Sequence, residues 1–155
     1  MKLIFICHGN ICRSTMAEAL AKHLVDEAKK QGKKLKPEFA SLEICSRATS
    51  SEELGNPPHH GTIRELQRRG ISLAYLSAKK ATKLCPADFS SDNLLYYMDQ
   101  NNRRNIVRSF DIDALKNCFP LLSKDVADPW YTGDFQTCYD DVYSGVKQIV
   151  DDLFQ

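Results

Sequence analysis

At 155 residues the chain has the length of one ordinary domain, 1–155, with enough apolar content to bury a sizeable core. Its 21 basic and 20 acidic residues leave a formal net charge of +1, which excludes a whole-molecule field for nucleic acid or an anionic membrane surface. No apolar run approaches the roughly 18–20 residues of a membrane span. The six cysteines are scattered, without the density of a disulfide-stapled scaffold, so free thiols in a reducing compartment are expected.

Met1-Lys2 leads straight into Leu3-Ile4-Phe5-Ile6, with no signal-peptide pattern before it, and a cytoplasmic location is the expectation. Those four apolar residues read as a short strand buried on both faces. The loop after it carries Cys7, Gly9 and Arg13, and a helical pattern starts at once. Thr15 with Glu18 three positions on predicts a capping box, with Ser14 as the alternative N-cap. A strand, a tight loop and a helix N-terminus form a cup of backbone N–H groups at the positive end of a helix dipole, which is an anion site. Cys7 stands at its entrance, where that field favours a thiolate. Arg13 can fold back and grip phosphate oxygens with its planar fork. A lone Cys-x5-Arg arises by chance in any cysteine-containing chain; at a strand-to-helix junction it is far more specific. Zinc would want a second cysteine pair to answer Cys7 and Cys12, and none is present.

Met16, Ala17, Leu20, Leu24 and Ala28 continue the first helix, with Gly32 as its stop. Lys29 to Lys36 reads as a solvated linker, and Phe39 to Cys45 as the second strand. Ser46 to Ser51 and Gly55-Asn56-Pro57-Pro58 then read as one long loop. His59 and His60 lack acidic or cysteine partners at ligand spacing and read as loop histidines. Ile63, Leu66 and Ile71 predict a second helix. Leu94 to Met98 is a buried strand by composition, and Asp99-Gln100-Asn101-Asn102 opens a helix to about Phe110. Asn117 to Leu122 is a fourth strand shortened by Pro120. Phe135, Val142, Val146, Ile149, Val150 and Leu153 form the apolar stripe of a closing helix. Strands alternating with helices argue for an α/β fold with a parallel sheet covered on both faces. Ligands of such sheets bind beyond the C-terminal strand ends, where the Cys7 loop lies.

Ala127-Asp128-Pro129-Trp130-Tyr131 also asks for a chemical explanation. An Asp before Pro is usually a turn, but two aromatics directly after it can wall a shallow pocket. If this turn faces the Cys7 cup, Asp128 is a general acid that can protonate a departing phenolate.

These residues resemble the low-molecular-weight protein tyrosine phosphatase family over essentially the whole chain. The resemblance is carried by Cys7-x5-Arg13-Ser14, Ser46, Thr49-Ser50, Gly55-Asn56-Pro57-Pro58, Met98-Asp99 and Asp128-Pro129-Trp130-Tyr131. It implies a four-stranded parallel sheet flanked by helices, flavodoxin-like. It also implies two-step hydrolysis through a phosphocysteine, with no metal and no cofactor. Cys7 would be the nucleophile, Arg13 the transition-state clamp, and Asp128 the acid and then the base. His8, Gly9, Asn10, Ile11, Cys12, Arg13 and Ser14 would cradle the phosphate. Asn10 would brace that loop, Ser14 would donate to the Cys7 thiolate, and Ser46 would support Asn10. The expected substrates are phosphotyrosine proteins or small aryl phosphates, and the expected state a monomer or weak dimer.

Three positions depart from the family pattern. Thr15 stands where Pro is frequent, and Tyr75 where many members carry a supporting His. Glu52 stands where an aromatic usually walls the pocket opposite Trp130 and Tyr131, unless it pairs with Arg47. Two other readings stay open. A thiol-linked arsenate reductase would need relay cysteines around residues 80–90, where only Cys85 is present and Asp92 stands in place of a second thiol. A catalytically idle phosphoprotein-binding module would fit the weakened aryl wall.

Overall fold

The strand that opens the chain, β1 (Lys2–Cys7), has Leu3, Ile4, Phe5 and Ile6 fully buried. Its alternate side chains feed opposite layers. Leu3 and Phe5 join a large core with Met16, Leu20, Val142 and Val146, while Ile4 and Ile6 join a smaller one with Leu95, Tyr97 and Ile106. Covering on both faces is why the run is apolar without alternation. The computed structural model describes all residues, Met1–Gln155, and adds β2 (Glu43–Ala48), β3 (Leu94–Tyr97) and β4 (Cys118–Pro120). The four strands are parallel in the order β2-β1-β3-β4. Helices α1 (Arg13–Lys30) and α5 (Phe135–Leu153) line the large core, and α3 (Gln100–Phe110) covers the other face. Two shorter helices, α2 (His60–Arg68) and α4 (Pro129–Thr132), lie near the C-terminal edge. The chain leaves β1 to build β2 on one side and β3 on the other, so the Cys7 end is the topological switch point, where open α/β sheets bind ligands.

Helix ends follow local chemistry. After α1, Gly32 takes φ +85°, and the Lys33 and Gly32 amides return to the Ala28 and Lys29 carbonyls at 3.0 Å each, a Schellman stop at the expected glycine. Asp99 caps α3 by accepting from the Asn102 amide at 2.8 Å, and the Asn102 side chain answers at the Asp99 amide.

Three expectations are corrected. The capping box at Thr15 and Glu18 does not form. Cys12 is the N-cap with no side-chain cap, the Thr15 hydroxyl donates back to the Ile11 and Cys12 carbonyls, and neither Ser14 nor Glu18 serves the helix end. The second strand is shifted by about three residues. Pro37 starts a 3₁₀ turn through Phe39, and pairing with β1 runs from Glu43 to Ala48, so Ser46 is strand rather than loop. The histidines are not both loop residues, since His59 caps α2 and His60 opens it.

Candidate active site

Residues 8–12 pass from β1 to α1 as a tight loop in which Asn10 takes φ +58°, a left-handed geometry that Asn tolerates better than most residues. The loop carbonyls are tied outward. Those of Cys7 and His8 accept from the Thr49 and Ser50 amides at 3.0 Å each, and that of Ile11 from the His59 amide at 2.8 Å. The Cys12 carbonyl accepts from the Thr62 hydroxyl at 3.1 Å. The amides of Gly9 to Cys12 donate to no protein group, which leaves them for an anion together with the α1 dipole.

Behind the loop runs a directed relay. The Asn10 side-chain amide donates to both Ser14 Oγ and Ser46 Oγ at 2.8 Å, and Asn10 Oδ1 accepts from the Thr82 amide at 3.0 Å. The Ser46 hydroxyl donates in turn to Glu18 Oε1 at 2.6 Å. Because Ser14 Oγ accepts from Asn10, its own hydrogen is free for Cys7 Sγ, 3.0 Å away. Asn10, Ser14, Ser46 and Glu18 are all buried. Glu18 is a residue that sequence reasoning assigned to a cap. Lys22 at 2.8 Å and Lys79 at 3.6 Å balance its charge, and Lys79 also donates to the Ser46 carbonyl. Burial pulls the Lys79 ammonium below its usual range, while Glu18 works against that. Tyr75 does not join the relay; its hydroxyl donates to Asp26 and its carbonyl fixes Lys22. Burial and Asp26 push that phenol up to about 12.

Arg13 is only 2% exposed. Its Nη1 donates to Asp99 Oδ2 at 2.6 Å and to the Val126 carbonyl at 2.8 Å, and its Nη2 lies 3.4 Å from Asp128 Oδ2. Burial alone would weaken its charge, but Cys7, Asp128 and Asp99 more than compensate and hold the guanidinium protonated. Its Nε is buried and has no protein partner. One edge of the fork is thus anchored, and the Nε/Nη2 edge remains for a bidentate contact. The sequence reads Asp99 as a helix start and as part of the family resemblance. Its spacing from Arg13 gives no local signal that the two meet.

Asp128 is brought to the cup. It caps α4 by accepting from the Trp130 amide at 3.1 Å, and it lines one cavity with Cys7, His8, Gly9, Ile11, Cys12, Glu52, Glu53, Trp130 and Tyr131. Trp130 and Tyr131 are 54% and 82% exposed. Glu52 lines the same cavity and meets His8 Nε2 at 3.1 Å, while Arg47 pairs with Asp88. Glu53, unforeseen, adds a second carboxylate to the mouth. The Cys12 thiol is buried, and burial followed by the nearness of Cys7 raises its pKa well above the usual thiol range. Cys85 is exposed at the start of a 3₁₀ turn and is not among the cavity-lining residues.

A model of the low molecular weight phosphotyrosine protein phosphatase family matches residues 2–155. The chain belongs to the low-molecular-weight protein tyrosine phosphatase family. PtpA of Staphylococcus aureus strain MRSA252 is 32% identical over 153 residues, covering 95% of this chain and 90% of that one. Among solved structures, SP-PTP from Streptococcus pyogenes superposes with a TM-score of 0.83 at 32% identity, covering 99% of this chain and 93% of that one. YfkJ from Bacillus subtilis follows at 0.82 and 29%, covering 98% and 93%. The phosphatase hydrolyses phosphotyrosine monoesters, by the phosphocysteine route general to its family.

Proposed function

We propose that Cys7 is the nucleophile, Arg13 the phosphate clamp and Asp128 the proton donor and acceptor of this phosphatase. The observation that carries the assignment is the buried, unpartnered Nε of Arg13 beside the Cys7 loop, with the opposite guanidinium edge held by Asp99 and Val126. In the first step the Cys7 sulfur forms a bond to phosphorus, the P–O(aryl) bond breaks, and Asp128 gives its proton to the departing oxygen. In the second, a water oxygen bonds to phosphorus and gives a proton to Asp128. The S–P bond then breaks, returning the thiolate and releasing inorganic phosphate. Gly9, Ile11, Cys12 and the other loop amides, with Arg13, stabilise the equatorial charge. Asn10, Ser14 and Ser46 hold the loop and the thiolate, and Glu52, Trp130 and Tyr131 bound the ring of the substrate.

We take its substrates to be phosphotyrosine proteins and small aryl phosphates, acted on by a monomer or weak dimer in the cytoplasm, without a metal or a nucleic-acid partner. Six unpaired cysteines and a net charge of +1 support this reading. No helix is long and apolar enough to cross a membrane. The test is steady-state hydrolysis of p-nitrophenyl phosphate in EDTA, with and without vanadate, by wild type and Cys7→Ser. Wild type should be active and vanadate-sensitive, and Cys7→Ser should bind vanadate without turnover. Appreciable turnover by Cys7→Ser, or loss of wild-type activity in EDTA, overturns the assignment.

A further inference from the structure

The N-terminus of α2 gathers three parts of the site onto one imidazole. The His59 amide donates to the Ile11 carbonyl of the phosphate-binding loop at 2.8 Å, and His59 Nδ1 accepts from the Gly61 amide at 2.9 Å. An accepting Nδ1 is unprotonated, so the neutral ring carries its proton on Nε2. The ring stacks on Phe135 at the start of α5 with centroids 5.2 Å apart, and on His60 at 4.2 Å. The Trp130 indole meets it nearly edge-on at 5.5 Å and 79°. A side chain at Gly61 would break this cluster, since a Cβ there would clash with the Phe135 ring. Trp130 is also the residue whose amide Asp128 accepts, so the indole and the acid move as one turn.

We propose that His59 is a positioning residue for Asp128: its neutral ring holds Trp130, and with it the acid-bearing turn, against the phosphate-binding loop, and its protonation releases that hold. The proposal rests on Asp128 being the acid. Protonation would set an N–H at Nδ1 against the Gly61 N–H, ending the cap. Burial, then His60 and Arg64 of α2, keep the ring below the ordinary 6.5, while Glu53 at the cavity mouth and Asp128 on the acid turn pull the other way. With its folded-state value lowered, the neutral ring's contribution is fully present above pH 6.5 and is lost as pH falls through the folded value. Acidification therefore loosens the turn that aims Asp128.

Trp130 is the sole tryptophan of the chain, so its emission reports this contact directly. An imidazolium quenches a neighbouring indole, and wild type should show an emission step as pH falls below 6.5. His60→Gln should keep the step. His59→Asn, which retains a capping acceptor, and His59→Phe, which retains the ring contacts, should both abolish it. In His59→Asn, kcat/KM should fall roughly 3–30-fold more for phenyl phosphate than for p-nitrophenyl phosphate, inside the hundredfold that an ångström of misplacement can cost. His59→Phe should recover part of that difference. An absent step in wild type, or one unchanged in His59→Asn, overturns the proposal. So does a leaving-group difference produced by Asp128→Asn but by neither His59 variant. A difference that Asp128→Asn itself fails to produce overturns the assignment of Asp128, and this proposal with it.

Discussion

Ser14→Ala removes one hydroxyl from the relay and little else. Ser14 is fully buried, its oxygen accepts from Asn10 at 2.8 Å, and its hydrogen has only Cys7 Sγ, 3.0 Å away, to meet. A hydrogen bond to a charged group is worth about 1.5–3 kcal/mol, so losing it should cost about 10- to 150-fold in kcat/KM. The loop itself should survive, because Asn10 keeps Ser46 and the Thr82 amide. Ser46→Ala acts one bond further from the sulfur. It removes the neutral bond from Asn10 and the bond to Glu18, of which only the first leads toward the sulfur, and Glu18 keeps Lys22 and Lys79. At about 0.5–1.5 kcal/mol that loss should be roughly 2- to 12-fold. The assay is kcat/KM on p-nitrophenyl phosphate beside the rate of Cys7 alkylation by iodoacetate, and in Ser14→Ala the two should fall together. The reasoning is refuted if Ser14→Ala stays within about twofold of wild type in both, or if a cooperatively folded Ser46→Ala loses as much as Ser14→Ala.

Asp128→Asn should slow kcat by roughly 10²–10⁴-fold, the range of a lost general acid, and more for phenyl phosphate than for p-nitrophenyl phosphate; equal losses would assign Asp128 to binding. Peroxide should oxidise Cys7 to a sulfenic acid that the Cys12 thiol captures, forming the S–S bond and releasing water. Dithiothreitol should then restore wild type better than Cys12→Ser, and equal recovery excludes the protective role. Glu52→Trp should raise kcat/KM for phosphotyrosine peptides roughly 2–10-fold, since an aromatic wall adds about 0.5–1.5 kcal/mol of stacking. It should also lessen discrimination against acidic peptides, and an unchanged value in a well-folded variant would remove Glu52 from the pocket wall.

The parts legible in the sequence are those whose signal is local. Leu3–Ile6, the Cys7-to-Ser14 spacing, the glycine stop at Gly32, the Asp99 cap and the stripe of α5 each announce themselves within a few residues. What escaped is polar and decided by distant neighbours. Ser46 and Arg47 look like loop residues. Ser46 is a fully buried strand residue because Asn10 and Glu18 satisfy it, and Arg47 is held by Asp88. Thr15-x-x-Glu18 has the spacing of a capping box, yet Glu18 lies on the covered side of α1, where two lysines and a serine claim it. His59 in a proline-rich run reads as loop until Phe135 and Trp130, both more than 70 residues further along the chain, close on it.

Arg13 explains why two carboxylates at one site do different work. A buried guanidinium is costly unless it is paired and hydrogen-bonded, and here Cys7, Asp99 and Asp128 surround it. Asp99 is committed on both oxygens, to Arg13 at 2.6 Å and to the α3 amide at 2.8 Å, so it cannot leave without undoing a helix start. Asp128 holds Arg13 through a single contact at 3.4 Å and otherwise only caps its own short turn. A phosphate dianion entering the cup can take the Nε/Nη2 edge and displace that contact. On the proposed assignment, substrate binding thus frees the carboxyl that serves the leaving oxygen. Once the aryl group has gone, the same residue, having given up its proton, would stand beside the thiophosphate, where a base is needed.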